Sequence, residues 1–183
     1  MPLATLDPAV ALIVVDLQNG TVSAPTAHPA DAVVANAVEL VDAFRARSLP
    51  VVIATVDGTP AGRTGYGAGA RAFPAEWTAL VPQLERRPDD LAVTRATWSV
   101  FAGTGLDAQL KQRGVTQVVI VGLATSFGVE STARDAYDAG YNVVIAVDAV
   151  TDRSIESHDN SVARVFPALG EVAGTAEVVA AFA

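Results

Sequence analysis

Four short apolar, β-branched runs constrain this chain most: Val10–Val15, 50–56, 118–121 and 142–147, with a weaker one at 91–94. Each is nearly continuous in apolar residues rather than alternating. A strand with one wet face alternates, and a strand covered on both faces does not. The runs therefore predict a parallel sheet with helices on either side. Helical spacing fills the gaps. Val34, Val38, Val41 and Phe44 share one side of a helix that Asp31 can cap and that reaches about Arg47. Short helices follow at 106–113 and 129–139, with Gly114 and Gly140 at their C-terminal stops. Ser154 or Ser157 can start another towards Phe166, before a last strand near 171–173 and a helix near 175–182.

Strands alternating with helices give a doubly wound α/β fold with right-handed crossovers. The 183 residues fit one domain, 1–183. The stretch 57–90 breaks the pattern: it is rich in Gly, Pro and Arg, lacks periodicity, and reads as a functional or disordered loop. A net charge of −8 argues against a nucleic-acid partner. No apolar run approaches the roughly 18 residues of a membrane span, and the opening residues lack the marks of a signal peptide. The chain has no cysteine, which removes disulfides, thiolate nucleophiles and Cys-ligated metals. A cytoplasmic setting is the expectation. Apolar content of 51% against 17% charged residues predicts large buried surfaces and agrees with oligomerisation.

Three places can carry chemistry. Asp16 follows the first run, and ligands of open α/β sheets sit beyond the carboxyl ends of strands. A carboxyl there, backed by apolar neighbours, suits an acid or base; it equally suits the cap of a turn. Arg95 ends the weaker run at the same end of the sheet and offers a planar fork to a carboxylate, or else is a solvated arginine. Ser126, Phe127 and Gly128 form the turn into a helix, where free backbone N–H groups bind anions; an ordinary βα turn reads the same way. His28 and His158, the only histidines, lack metal-ligand spacing and read as solvent-facing or helix-terminal.

Taken together, ALIVVDLQN (Asp16, Gln18), VTRATWSVFAGTGLDAQLKQRGV (Arg95, Trp98) and VVIVGLATSFGVESTARDAYDAGYNVVIAVDAVTDRS resemble the isochorismatase-like hydrolases, also called cysteine hydrolases. The resemblance runs on through HDNSVARVFPALGEVAGTAEVV and covers nearly the whole chain. It implies a Rossmann-like, six-stranded parallel sheet in order 3-2-1-4-5-6, and a cis peptide at Leu123–Ala124. It implies Asp16, Arg95 and Gly128 as the catalytic positions, with Gln18, Trp98, Leu123, Ala124, Thr125, Ser126 and Phe127 around the substrate. It further implies a small-molecule substrate, no cofactor, and a homodimer or homotetramer. The family's amidases use an Asp–Lys–Cys triad. Arg95 falls at the lysine position and Gly128 at the cysteine position, so thioester amidase chemistry is excluded. Their zinc site takes histidines from the loop after the second strand; 57–66 has none, and no metal is expected.

Isochorismatases, some of which carry glycine or serine at the cysteine position, hydrolyse a vinyl ether by proton transfer from the aspartic acid. Three readings follow: that reaction; hydrolysis or lysis of another small carboxylate, with Asp16 and Arg95 acting and Arg63 and Arg71 covering an anionic ligand; or a non-catalytic binding or assembly subunit.

Overall fold

The computed structural model describes Leu3, residues 5–65 and residues 67–182. Tyr66, part of the loop in which no metal site is expected, lies outside them. The strands are β1 (Val10–Val15), β2 (Val51–Val56), β3 (Leu91–Arg95), β4 (Gln117–Leu123), β5 (Asn142–Thr151) and β6 (Glu171–Ala173). They form one six-stranded sheet in the order β3-β2-β1-β4-β5-β6, with every neighbouring pair parallel. The chain leaves β1 for β2 on one side and returns to β4 on the other, so the crevice between them is the switch point.

The apolar runs are continuous because their alternate residues feed two cores. Val10, Leu12 and Val14 join Val33, Ala37, Leu40 and Phe44 of α1 (Ala30–Arg45) and Val178 of the C-terminal helix. Ala11, Ile13 and Val15 face the other way, onto Leu106 and Leu110 of α2 (Leu106–Gln112) and Val129, Ala133 and Ala136 in and before α3 (Glu130–Asp138). Two further helices are α4 (Ile155–Asn160) and α5 (Thr175–Ala180). Ser154 caps α4 by accepting from the Ser157 amide at 3.2 Å. The cap of α1 is Pro29 rather than Asp31. Asp31 lies in the first turn, where its carboxylate accepts from the Ala32 amide and answers the positive end of the helix dipole.

The loop 57–90 is folded, not featureless. Gly58–Thr59 pairs with Arg71–Ala72, and within that ribbon Arg63–Thr64 pairs with Gly67–Ala68. Two-residue strands are too short for periodicity to show. A helical turn, Ala75–Thr78, then presses Trp77 onto the loop after β1. A Cβ on Gly20 would fall 2.0 Å from the Trp77 ring, so the approach requires glycine. Among the described residues no helix is long and apolar enough to cross a membrane.

Candidate active site

Asp16 leaves β1 in a left-handed conformation, φ 51°, which a short polar side chain tolerates better than most. Its carbonyl accepts from the Thr21 hydroxyl. Its carboxylate turns to β3, where Arg95 meets it with both terminal nitrogens: one Nη on Oδ1, the other on Oδ2 at 3.0 Å. The second Nη also donates to the Trp98 carbonyl at 2.8 Å. Arg95 Nε is buried and has no partner among the described residues. The fork expected to be open to a substrate carboxylate is therefore closed on Asp16. Burial pushes the Asp16 carboxyl above the usual carboxylate range, and hydrogen bonding and attraction from Arg95 offset part of that rise.

Gly128 stands opposite. A Cβ built on it would lie 3.5 Å from Asp16 Oδ2, 3.3 Å from the Leu123 carbonyl oxygen and 3.0 Å from Val15 Cγ1. The position where a nucleophile's side chain would begin thus faces the Asp16 carboxylate, and Val15 and the Leu123 carbonyl close tightly around it. Asp16, Arg95 and Gly128 converge as the sequence predicts.

Gly128 is carried on a single π-helical turn, Thr125–Val129, leading into α3. The peptide bond between Leu123 and Ala124 is cis. The amides expected to be free at this turn are partly taken: Phe127 N–H donates to the Ala124 carbonyl at 3.0 Å. Ser126 gives both its amide (2.7 Å) and its hydroxyl (2.8 Å) to Asp152 Oδ2. Phe127 meets Trp98 edge to face, with centroids 5.1 Å apart, and Trp98 is 58% exposed. Leu123 and Ala124 line a cavity of about 50 Å³ with Thr21, Thr26, Asp152 and Arg153.

One expectation changes and another narrows. Gln18 is fully buried, and its amide is committed to backbone: Nε2 donates to Val56 and Thr78 carbonyls, and Oε1 accepts from the Val56 amide. It ties the loop after β1 to the end of β2 and presents no free donor to a substrate. For His158 the helix-terminal alternative holds and the solvent-facing one does not: it lies in the last turn of α4, buried, with its Nδ1 2.9 Å from the buried Thr125 hydroxyl. Asp152 is the residue sequence reasoning passed over. It lies one residue beyond the carboxyl end of β5, and the rule that selected Asp16 beyond β1 would have selected it too. No group of three or more His, Cys, Asp or Glu placed to hold a metal ion occurs among the described residues.

Residues 10–177 match the isochorismatase domain family. The chain is 36% identical over 176 residues to the isochorismatase family protein YecD of Escherichia coli O157:H7, covering 92% of this chain and 94% of that one. It is 37% identical over 174 residues to YwoC of Bacillus subtilis, covering 91% and 90%. A solved isochorismatase family protein from Burkholderia thailandensis superposes with a TM-score of 0.90 at 43% identity, over 97% of each chain.

Proposed function

This chain belongs to the isochorismatase family, a family of hydrolases, and on that premise we propose that Asp16 acts as a general acid on a small carboxylate-bearing substrate. The reaction type is hydrolysis of a vinyl ether such as isochorismate, without a covalent thiol intermediate. The observation that carries this reading is the missing side chain at Gly128, whose Cβ position lies 3.5 Å from Asp16 Oδ2. It leaves the acid without the sulfur that amidases of the family place there.

Protonated Asp16 gives its proton to the methylene carbon of the enol ether. The resulting oxocarbenium ion takes water at the ether-bearing carbon, and the hemiketal collapses to pyruvate and the free alcohol. One water is consumed, one C–O bond breaks, and the proton released by water returns to the carboxylate. Burial favours the protonated carboxyl that the first half needs. Arg95, bonded to both oxygens, favours the carboxylate left behind and fixes its plane.

A second reading, a ligand-binding or assembly subunit without turnover, draws on the closed Arg95–Asp16 pair and on the small cavity beside Leu123. One experiment separates the two: incubate the protein with isochorismate and follow pyruvate. Release that disappears in Asp16→Asn supports the acid; absence of release from the unaltered protein favours the subunit. The enzyme reading also takes the protein as a cytoplasmic homodimer or homotetramer, which light scattering after gel filtration tests.

A further inference from the structure

The only two histidines of the chain meet. His28, in the loop before α1, and His158, in the last turn of α4, have ring centroids 4.6 Å apart and planes at 61°, an edge-to-face contact. Each Nδ1 reaches a threonine hydroxyl: His158 to Thr125 at 2.9 Å, and His28 to Thr151 at 3.1 Å. Thr125 opens the π-helical turn that carries Gly128. Thr151 ends β5 just before Asp152, whose Oδ2 accepts from Ser126 in the same turn. The His28 amide also donates to Thr151 Oγ1 at 3.1 Å, and the Ala27 amide to the Asp152 carbonyl at 2.7 Å. Loop, sheet end and catalytic turn are thus joined through two imidazoles.

We propose that His158 is a positioning residue: through Thr125 it holds the Gly128 turn against Asp16, with His28 bracing it from the loop before α1. The catalytic consequence rests on the general-acid reading of Asp16, whereas the structural one does not. Thr125 is wholly buried, so its hydroxyl has no water to turn to if the imidazole is lost. A neutral imidazole can accept at Nδ1 from the Thr125 hydroxyl; a protonated one donates there, so the hydroxyl must turn round to accept and the buried site must hold a charge it does not otherwise carry. Burial, and then His28 beside it, hold His158 below the ordinary value of 6.5, against the opposite pull of Asp159 on its own helix and Asp152 at the end of β5. The latch therefore stays closed at neutral pH and opens on acidification.

The test uses the whole protein in three forms besides the native one: His158→Asn, whose amide oxygen can stand near Nδ1 but cannot take up a proton; His158→Leu; and Thr125→Val. Hydrogen exchange of residues 124–129, corrected for intrinsic pH dependence, reads the turn without any substrate. With only two histidines, their ring proton signals titrate in plain view. Native protein should exchange this turn about tenfold faster once His158 protonates. His158→Asn should keep the turn protected and lose that acid step, in exchange and in the pH profile of kcat. Thr125→Val and His158→Leu should expose the turn at every pH and lower kcat with KM little changed. Should His158→Leu not fold, the other two decide. An acid step that persists in His158→Asn, or unchanged exchange in Thr125→Val, overturns the proposal. If isochorismate is not turned over at all, the exchange data still decide the positioning claim.

Discussion

The two terminal nitrogens of Arg95 close on the two carboxylate oxygens of Asp16 across 79 residues of sequence, in a pair with side-chain exposures of 3% and 9%. Such a pair is weak evidence of net stability, because desolvation of both charges opposes their attraction. Removing one partner is another matter, since it strands the other. The proposed acid is therefore also half of a buried ion pair, and variants there must be read for turnover and for stability.

Asp16→Asn removes the proton that the reaction needs. Pyruvate release from isochorismate should fall by about a hundredfold or more. The Arg95 guanidinium would face a neutral amide, and breaking a buried pair costs about 3–5 kcal/mol; the amide oxygen can still accept one bond, so the lower end is expected. Paired measurements of turnover and urea midpoint check this, and a variant that turns over normally would exclude Asp16 as the acid.

Arg95→Met leaves burial as the main influence on the Asp16 carboxyl, and its pKa should rise further. A carboxyl raised in the folded state above its unfolded value of 3.8 contributes stability that is present below that value and lost as pH rises through the folded one. The variant should accordingly be more stable near pH 4 than at neutral pH, and native protein should show a smaller slope. Urea unfolding between the two conditions gives the sign directly.

Gly128→Ala places a methyl 3.0 Å from Val15 Cγ1 and 3.3 Å from the Leu123 carbonyl. The valine can yield slightly and the carbonyl cannot, so a loss of about 1–3 kcal/mol is expected. The methyl also occupies the space facing Asp16 Oδ2, so kcat/KM should fall by more than the loss of stability explains. Activity equal to the native protein would mean that the reacting group never enters that space.

Gly20→Ala cannot keep Trp77 where it lies, because the new Cβ would fall 2.0 Å from its ring. Trp77 should swing out, ending its contact with Phe73 at a centroid distance of 4.3 Å. With Trp98 already exposed, a red shift in tryptophan emission reports the release, and the melting temperature should drop with it.

The sheet was legible because β1, β2 and β4 are buried on both faces, which leaves continuous apolar runs that no other element of that length explains. Asp16 and Arg95 were legible as positions, since both stand at carboxyl ends of strands. Their mutual grip was not, because the spacing of either says nothing about which way its side chain turns. Gln18 reads in sequence like a site residue, but its amide completes backbone hydrogen bonds supplied by β2 and the 75–78 turn. The histidine pair escaped notice for a similar reason: His28 and His158 are brought together only by tertiary folding, and neither carries a local pattern. The nested ribbons at 58–72 were hidden because two-residue strands have no period to detect.

The Ser126 amide and hydroxyl are both given to Asp152, so the opening of the turn before α3 has its partial positive charge answered from within the protein. Acyl transfer builds negative charge on a carbonyl oxygen and depends on donors held in reserve for it. Here a carboxylate from the neighbouring strand already occupies such donors. Vinyl-ether cleavage, the reaction proposed above, asks for the reverse, a place where a carbocation can form, and the Asp152 carboxylate beside this turn suits that polarity. The Ser126–Asp152 contact therefore takes up two donors that an anionic intermediate at this turn would call on, whichever nucleophile attacked.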